Sequence, residues 1–283
     1  MIYVSSSCVK NNKIKDSVQE LAGNGFKNIE LSGGTEYYKN FENDLLELKG
    51  KYNLNYRCHN YFPPPKKPFV INLASLNDEV FQMTFNHLKK VISLSERLGA
   101  NKFAFHAGFF VDIRLGEIGK KLSRDDLFDK EKSIERFCSA YMMLKSQAKN
   151  VSLFIENNVY SKTNAEVYKG ENPLMMTNFS DYRSLKEKID FNLLLDVAHL
   201  KVSTKTLGLD WESEFKNMIN ESNYIHISDN DGFHDLNNQL AKSSSLVSML
   251  RQSDTKNKDF TLEIYDNMNA IKKSYEILNE AVA

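Results

Sequence analysis

The chain has 283 residues, and its 37 lysines plus arginines are balanced by 37 aspartates plus glutamates. That length suits one large α/β domain or two small ones. Zero net charge argues against a sequence-independent nucleic-acid binder, which needs surplus cations to displace counterions from phosphates. No apolar run approaches the roughly 20 residues that crossing a bilayer requires.

The first segment, MIYVSSSCVKNNK, opens as a strand and lacks the basic and long apolar regions of a signal peptide. A soluble, cytoplasmic protein is expected. Further strands are expected at 27–32, 54–59, 102–107, 151–156, 191–196, 223–229 and 259–265, after a first at 2–6. Their spacing is about that of one β-turn-helix-turn unit. Between them lie amphipathic helices. In 78–99, Val80, Phe81, Phe85, Leu88, Val91, Ile92, Leu94 and Leu98 recur at helical spacing and Gly99 supplies a stop. Segment 131–149 behaves alike, with Ile134, Phe137, Tyr141 and Leu144. Strands such as FNLLLDV and VSLFIE are nearly continuous in apolar residues, as when both faces are covered. No G-x-G-x-x-G follows the first strand, which disfavours an open dinucleotide-binding sheet. The pattern predicts a single (β/α)8 TIM barrel over residues 1–283, able to form a homo-oligomer through its outer helices.

Cys8, Cys58 and Cys138 are odd in number, widely spaced and form no C-x-x-C pair. They read as thiols in a reducing compartment rather than a disulfide framework. Strand alternation turns Cys58 away from the face of its neighbour His59.

In a barrel of this kind the active site lies at the C-terminal ends of the strands. The apolar runs here stop there on His59, His106, Glu156, Asp196, His226 with Asp229, and Glu263, and His199 follows Asp196 by three residues. A single carboxylate at a strand end reads equally well as a loop cap or a buried ion pair. Glu156, Asp196, His226 and Glu263 end four successive strands, and so point to one divalent metal ion. A mostly oxygen donor set suits Mn²⁺, Mg²⁺ or Co²⁺, with Zn²⁺ also accommodated. His59 and His106, placed across the mouth from Glu263, and His199 are expected to contact substrate oxygens or a further metal. His87 sits within a helical pattern and is expected on the surface.

The ordered segments HN (59–60), FHAG (105–108), IENN (155–158), LLDVAH (194–199), HISDNDG (226–232) and LEIY (262–265) resemble the xylose-isomerase-like TIM-barrel superfamily. The resemblance spans almost the whole chain. It implies that Glu156, Asp196, His226 and Glu263 bind one divalent ion and that the two glutamates exchange protons with substrate carbon. A small sugar or sugar derivative would be isomerised or epimerised through an enediolate. A dehydratase acting on a keto-sugar or inosose would share the first proton removal. The superfamily also contains zinc-dependent abasic-site nucleases, in which an Asp-x-His pair follows the seventh strand. Here Asp235 is followed by Asn237, a poor zinc ligand, and His234 is offset. That departure sets nucleic acid well behind a sugar. Xylose isomerases themselves place a lysine where Asn158 stands, so proton transfer is expected rather than a hydride shift. Asn158 would bind a hydroxyl or cap its loop. The segment HNYFPPPKKPF (59–69) is stiffened by its run of three consecutive prolines and is expected to hold Tyr61 against the substrate.

Overall fold

The computed structural model describes residues 1–283 as a closed barrel of eight parallel strands in sequential order. The strands are β1 (Ile2–Ser5), β2 (Asn28–Leu31), β3 (Asn55–His59), β4 (Lys102–His106), β5 (Ser152–Glu156), β6 (Asn192–Asp196), β7 (Ser222–Ile227) and β8 (Asp259–Leu262). Pairing of β1 with β8 closes the ring. The outer layer comprises α1 (Ile14–Gly23), α2 (Phe41–Tyr52), α3 (Asp78–Leu98), α4 (Lys130–Gln147), α5 (Lys162–Val167), α6 (Phe179–Lys186), α7 (Val197–Leu207), α8 (Trp211–Glu221), α9 (Ser245–Gln252) and α10 (Met268–Val282). No helix is long and apolar enough to cross a membrane.

The strands lie where the sequence pattern predicts them, with shorter C-terminal ends. β7 stops at Ile227 and β8 at Leu262, so Asp229 and Glu263 stand just beyond the ladder. Helix α3 starts on Asn77, whose side chain accepts from the amides of Glu79 and Val80, and ends at Gly99 with φ 68°. A left-handed residue there carries little strain only when it is glycine.

The two-residue strand period fills the barrel in layers. Near the N-terminal end lie Arg57, Lys102 and Asp259, with Asp259 bonded to Arg57, to Lys102 (2.9 Å) and to the N-terminal amine (3.0 Å). Two residues further along the same strands are His59, Ala104 and Thr261. A small apolar layer of Ala104, Phe154, Leu194 and Tyr224 separates that ionic base from the upper rim. One further step brings His106, Glu156, Asp196, His226 and Glu263 to the rim. Cys58, of opposite parity to His59, is buried in the outer core with its thiol toward Ser95 of α3.

One expectation fails outright. His87 is buried, 8% exposed, on the inner side of α3 with its ring edge-on to Phe69. Phe69 comes from the proline-rich segment, and covering by a distant loop is not visible in the local helical pattern.

Candidate metal-binding active site

Strand ends supply the centre of the site. His106 is registered with Glu156 across β4 and β5, and Asp196 with His226 across β6 and β7. His226 Nδ1 lies 3.5 Å from Glu263 Oε2, 3.7 Å from Glu156 Oε1 and 3.9 Å from Asp196 Oδ2. The three carboxylates predicted to hold a metal therefore all face the same nitrogen of His226, which is common to the cluster with Glu156 and Asp196 and to the cluster with Glu263. Ligand atoms about 2.0–2.2 Å from a common ion are separated from one another by roughly 3–4 Å. Glu156 Oε1 and both ring nitrogens of His226 are buried without hydrogen-bond partners, so donor capacity is available there. The residues fit a divalent ion.

Local structure sets the donors. Asp196 is the N-cap of α7, its Oδ1 accepting from the His199 amide at 2.7 Å, which leaves Oδ2 to face His226. Capping by a side chain of this type is a common helix start. Asn157 ties the ends of β5 and β6 together, accepting from the Asp196 amide (2.8 Å) and donating to the Asp196 carbonyl (3.0 Å).

The three other histidines surround Glu156 more closely than the sequence implies. His59 Nε2 lies 2.7 Å and His106 Nδ1 3.2 Å from Glu156 Oε2, and the His59 and His226 rings are 4.7 Å apart. His59 thus stands beside His226 and Glu263 rather than across the mouth. His199 places Nδ1 2.9 Å from the Asn157 carbonyl and Nε2 3.3 Å from Asp235 Oδ2.

Above this floor opens a cavity of about 980 Å³, whose walls include Tyr61, Phe109, Asn158, Phe233, Asp235 and Tyr265. Asp196 and His226, 2% and 0% exposed, lie beneath its surface. Tyr61 lines the cavity, and its hydroxyl accepts from the Ile71 amide at 3.3 Å, fastening the proline-rich segment. Asn158 also lines it, but its amide nitrogen donates to the carbonyls of Ala107, Gly108 and Met175. Those bonds clamp the loops after β4 and β5 to the segment around Met175. Asp229 is drawn away to Lys201 at 2.6 Å, and His234 to Asp231 at 3.0 Å on the exposed rim.

Two acids escaped the sequence reading. Glu30, midway along β2, is wholly buried, with Oε1 2.9 Å from His226 Nε2. A glutamate between Ile29 and Leu31 was the available signal, because alternation sends it inward. Asp235 was noticed only as the first residue of an Asp-x-Asn pattern. Counting both, five carboxylates and four imidazoles crowd one site, all of them buried except His106 and Asp235.

The electrostatics follow from that crowding. Burial would raise Glu156, but His106, His59 and His226 hold it well below the usual carboxylate range. Asp196 is pushed up to about 7 by burial, with Glu156 and Asp235 adding to the rise against His199. Burial opposes protonation of His226 and His199. Glu30 and Glu263 nevertheless raise the first well above its ordinary value, and Asp196 and Asp235 do so for the second. His106, by contrast, is lowered to about 4, chiefly by burial. Such displaced values concentrate where charge is managed for binding or catalysis.

A family model described as xylose isomerase-like TIM barrel matches residues 18–281. The chain belongs to that family. Among solved structures, a D-tagatose 3-epimerase-like protein superposes with a TM-score of 0.72 at 16% identity, covering 100% of this chain and 99% of that one. An L-ribulose 3-epimerase gives 0.66 at 15% identity, covering 97% and 86%. The D-psicose 3-epimerase of Clostridium cellulolyticum H10, solved with D-tagatose, gives 0.70 at 10% identity, covering 99% of each chain. These likenesses establish a shared fold. Comparison with curated protein sequences gives no match.

Proposed function

We propose that this protein is a divalent-metal-dependent isomerase or epimerase of a sugar or sugar derivative, working by proton transfer. The observation that carries the reading is His226 Nδ1 within 3.9 Å of three carboxylates, Glu156, Asp196 and Glu263, at the floor of an open cavity. The solved epimerases of the same fold support the substrate class.

Glu156, Asp196, His226 and Glu263 would hold the ion, one of Mn²⁺, Mg²⁺, Co²⁺ or Zn²⁺. When bound, the ion supplies Lewis acidity that polarises a substrate carbonyl. Glu156, held ionised by its histidine neighbours, is suited to take a proton from the adjacent carbon or to return one. Glu263, on the other side of His226, is the partner for the opposite transfer. Return of the proton to the opposite face of the same carbon gives an epimer, and return to the neighbouring carbon an isomer. His199, His106, Tyr61 and Tyr265 line the cavity and would contact a sugar bound there.

Elemental analysis of the purified protein, then deuterium incorporation into a panel of ketoses, sugar phosphates and nucleotide sugars, tests the proposal. Glu156→Gln or Glu263→Gln should abolish exchange while ligand binding survives. Exchange at the wild-type rate in both variants would sink the two-glutamate mechanism. Loss of water from the labelled substrate would identify a dehydratase instead.

A second reading, the zinc-dependent abasic-site nuclease, draws on one observation. Asp235 meets His199, while His59 and His106 meet the second oxygen of Glu156, so donors extend beyond a single ion. Asn237 counts against it, since its backbone carbonyl holds the Tyr265 amide at 2.9 Å and its side chain is a neutral amide. Cleavage of an abasic duplex with several zinc ions per chain would favour this reading.

A further inference from the structure

Glu30 lies beneath the site and touches none of the cavity. Its Oε2 accepts from the Tyr224 hydroxyl and, at 2.7 Å, from the Thr261 hydroxyl. Its Oε1 has no hydrogen-bond partner and lies 2.9 Å from His226 Nε2, which has none either. The opposite nitrogen of the same ring, Nδ1, faces Glu156, Asp196 and Glu263.

We propose that Glu30 is the positioning residue of this centre: it holds the His226 ring proton on Nε2 and thereby turns the Nδ1 lone pair toward the three carboxylates. The inference rests on the metal-binding reading of that site. Its physical basis is the donor inventory. Two hydroxyls fix Oε2, so the carboxylate cannot swivel. A carboxylate only accepts, so a ring nitrogen that bonds to Oε1 must carry hydrogen. With a divalent ion held at the site the imidazole would be neutral, with one donor and one acceptor nitrogen, and Nδ1 is then the acceptor. Outer carboxylates commonly orient metal-binding histidines in this way.

Polarity reversal at constant shape distinguishes this role from packing. In Glu30→Gln the amide oxygen stays under the Tyr224 and Thr261 hydroxyls, and the amide NH₂ faces His226 Nε2. That nitrogen must then accept, and the proton moves to Nδ1, where it obstructs the metal. Glu30→Ala removes the partner without imposing the wrong tautomer. Zn²⁺ titration by calorimetry should show affinity falling roughly ten- to a hundred-fold in Glu30→Ala, and further in the better-packed Glu30→Gln. A packing role gives the reverse order, and that result overturns the proposal.

Nitrogen-15 NMR of the Zn²⁺-loaded wild type reports the tautomer without any substitution. Hydrogen on His226 Nε2 is expected, and hydrogen on Nδ1 overturns the proposal even if a variant fails to fold. A wild type that binds no Zn²⁺ removes the site reading and this inference together. A wild type that binds Zn²⁺, with Glu30→Gln binding as tightly, removes this inference alone.

Discussion

His59 Nε2 and Glu156 Oε2 lie 2.7 Å apart in the buried floor of the barrel, although 97 residues separate them in the chain. The bond restrains the carboxylate that is the proposed base and metal ligand. His59→Ala should therefore weaken divalent-metal affinity by roughly ten-fold or more, as loss of an outer hydrogen-bond partner does. Calorimetric titration with Mn²⁺ checks this. Unchanged affinity with impaired turnover would instead assign His59 to the substrate.

Gly108 ends the FHAG segment for a steric reason. A Cβ there would stand 2.3 Å from Ala74 Cβ, 2.9 Å from Met175 Sδ and 3.2 Å from the Ala74 amide nitrogen. Backbone and a short side chain cannot move aside easily, so Gly108→Ala should cost about 1–3 kcal/mol or more through overpacking. Urea denaturation measures it, and a variant as stable as wild type would contradict the close approach.

His87 links folding to pH. Burial, with help from Lys90, lowers its value to about 4 from an ordinary value of about 6.5. Between those values the unfolded chain takes up a proton that the folded chain refuses. Its contribution is thus fully present above about pH 6.5 and is lost as pH falls through about 4, by up to roughly 3 kcal/mol. His87→Leu should flatten the stability profile over that window. Thermal melts across pH 4 to 7 (roughly the span between the two pKa values) decide it, and parallel profiles for the two proteins would be the contrary result.

The base of the barrel carries a charge cluster built on one buried guanidinium. Arg57, 1% exposed, is bonded to Asp259 and stacked 3.9 Å from the Tyr3 ring centroid, and Lys102 shares the same carboxylate. Asp259→Ala would leave Arg57 buried without its counter-ion. Breaking one partner of such a pair typically costs about 3–5 kcal/mol. Denaturant midpoints should show that loss, whereas a change below about 1 kcal/mol would mean water enters to replace the carboxylate.

Much of this protein is legible in the order of its residues. Alternating strands and helices, and apolar runs that stop on His, Asp or Glu, specify the barrel and direct Glu156, Asp196, His226 and Glu263 to one rim. Those signals are local: a strand's parity depends only on its own neighbours, and the barrel rule supplies the rest. Parity also turned Cys58 outward as expected. The closed ring decided what local patterns do not contain. It brought Glu30 of β2 against His226 of β7, gathered His59 and His106 onto one oxygen of Glu156, and set Asp235 beside His199. It also laid Phe69 over His87, and it spent the amide of Asn158 on loop carbonyls. Each of these depends on contacts between segments far apart in the chain. Residue type and spacing can nominate such groups, but only closure of the barrel determines which face one another and at what distance.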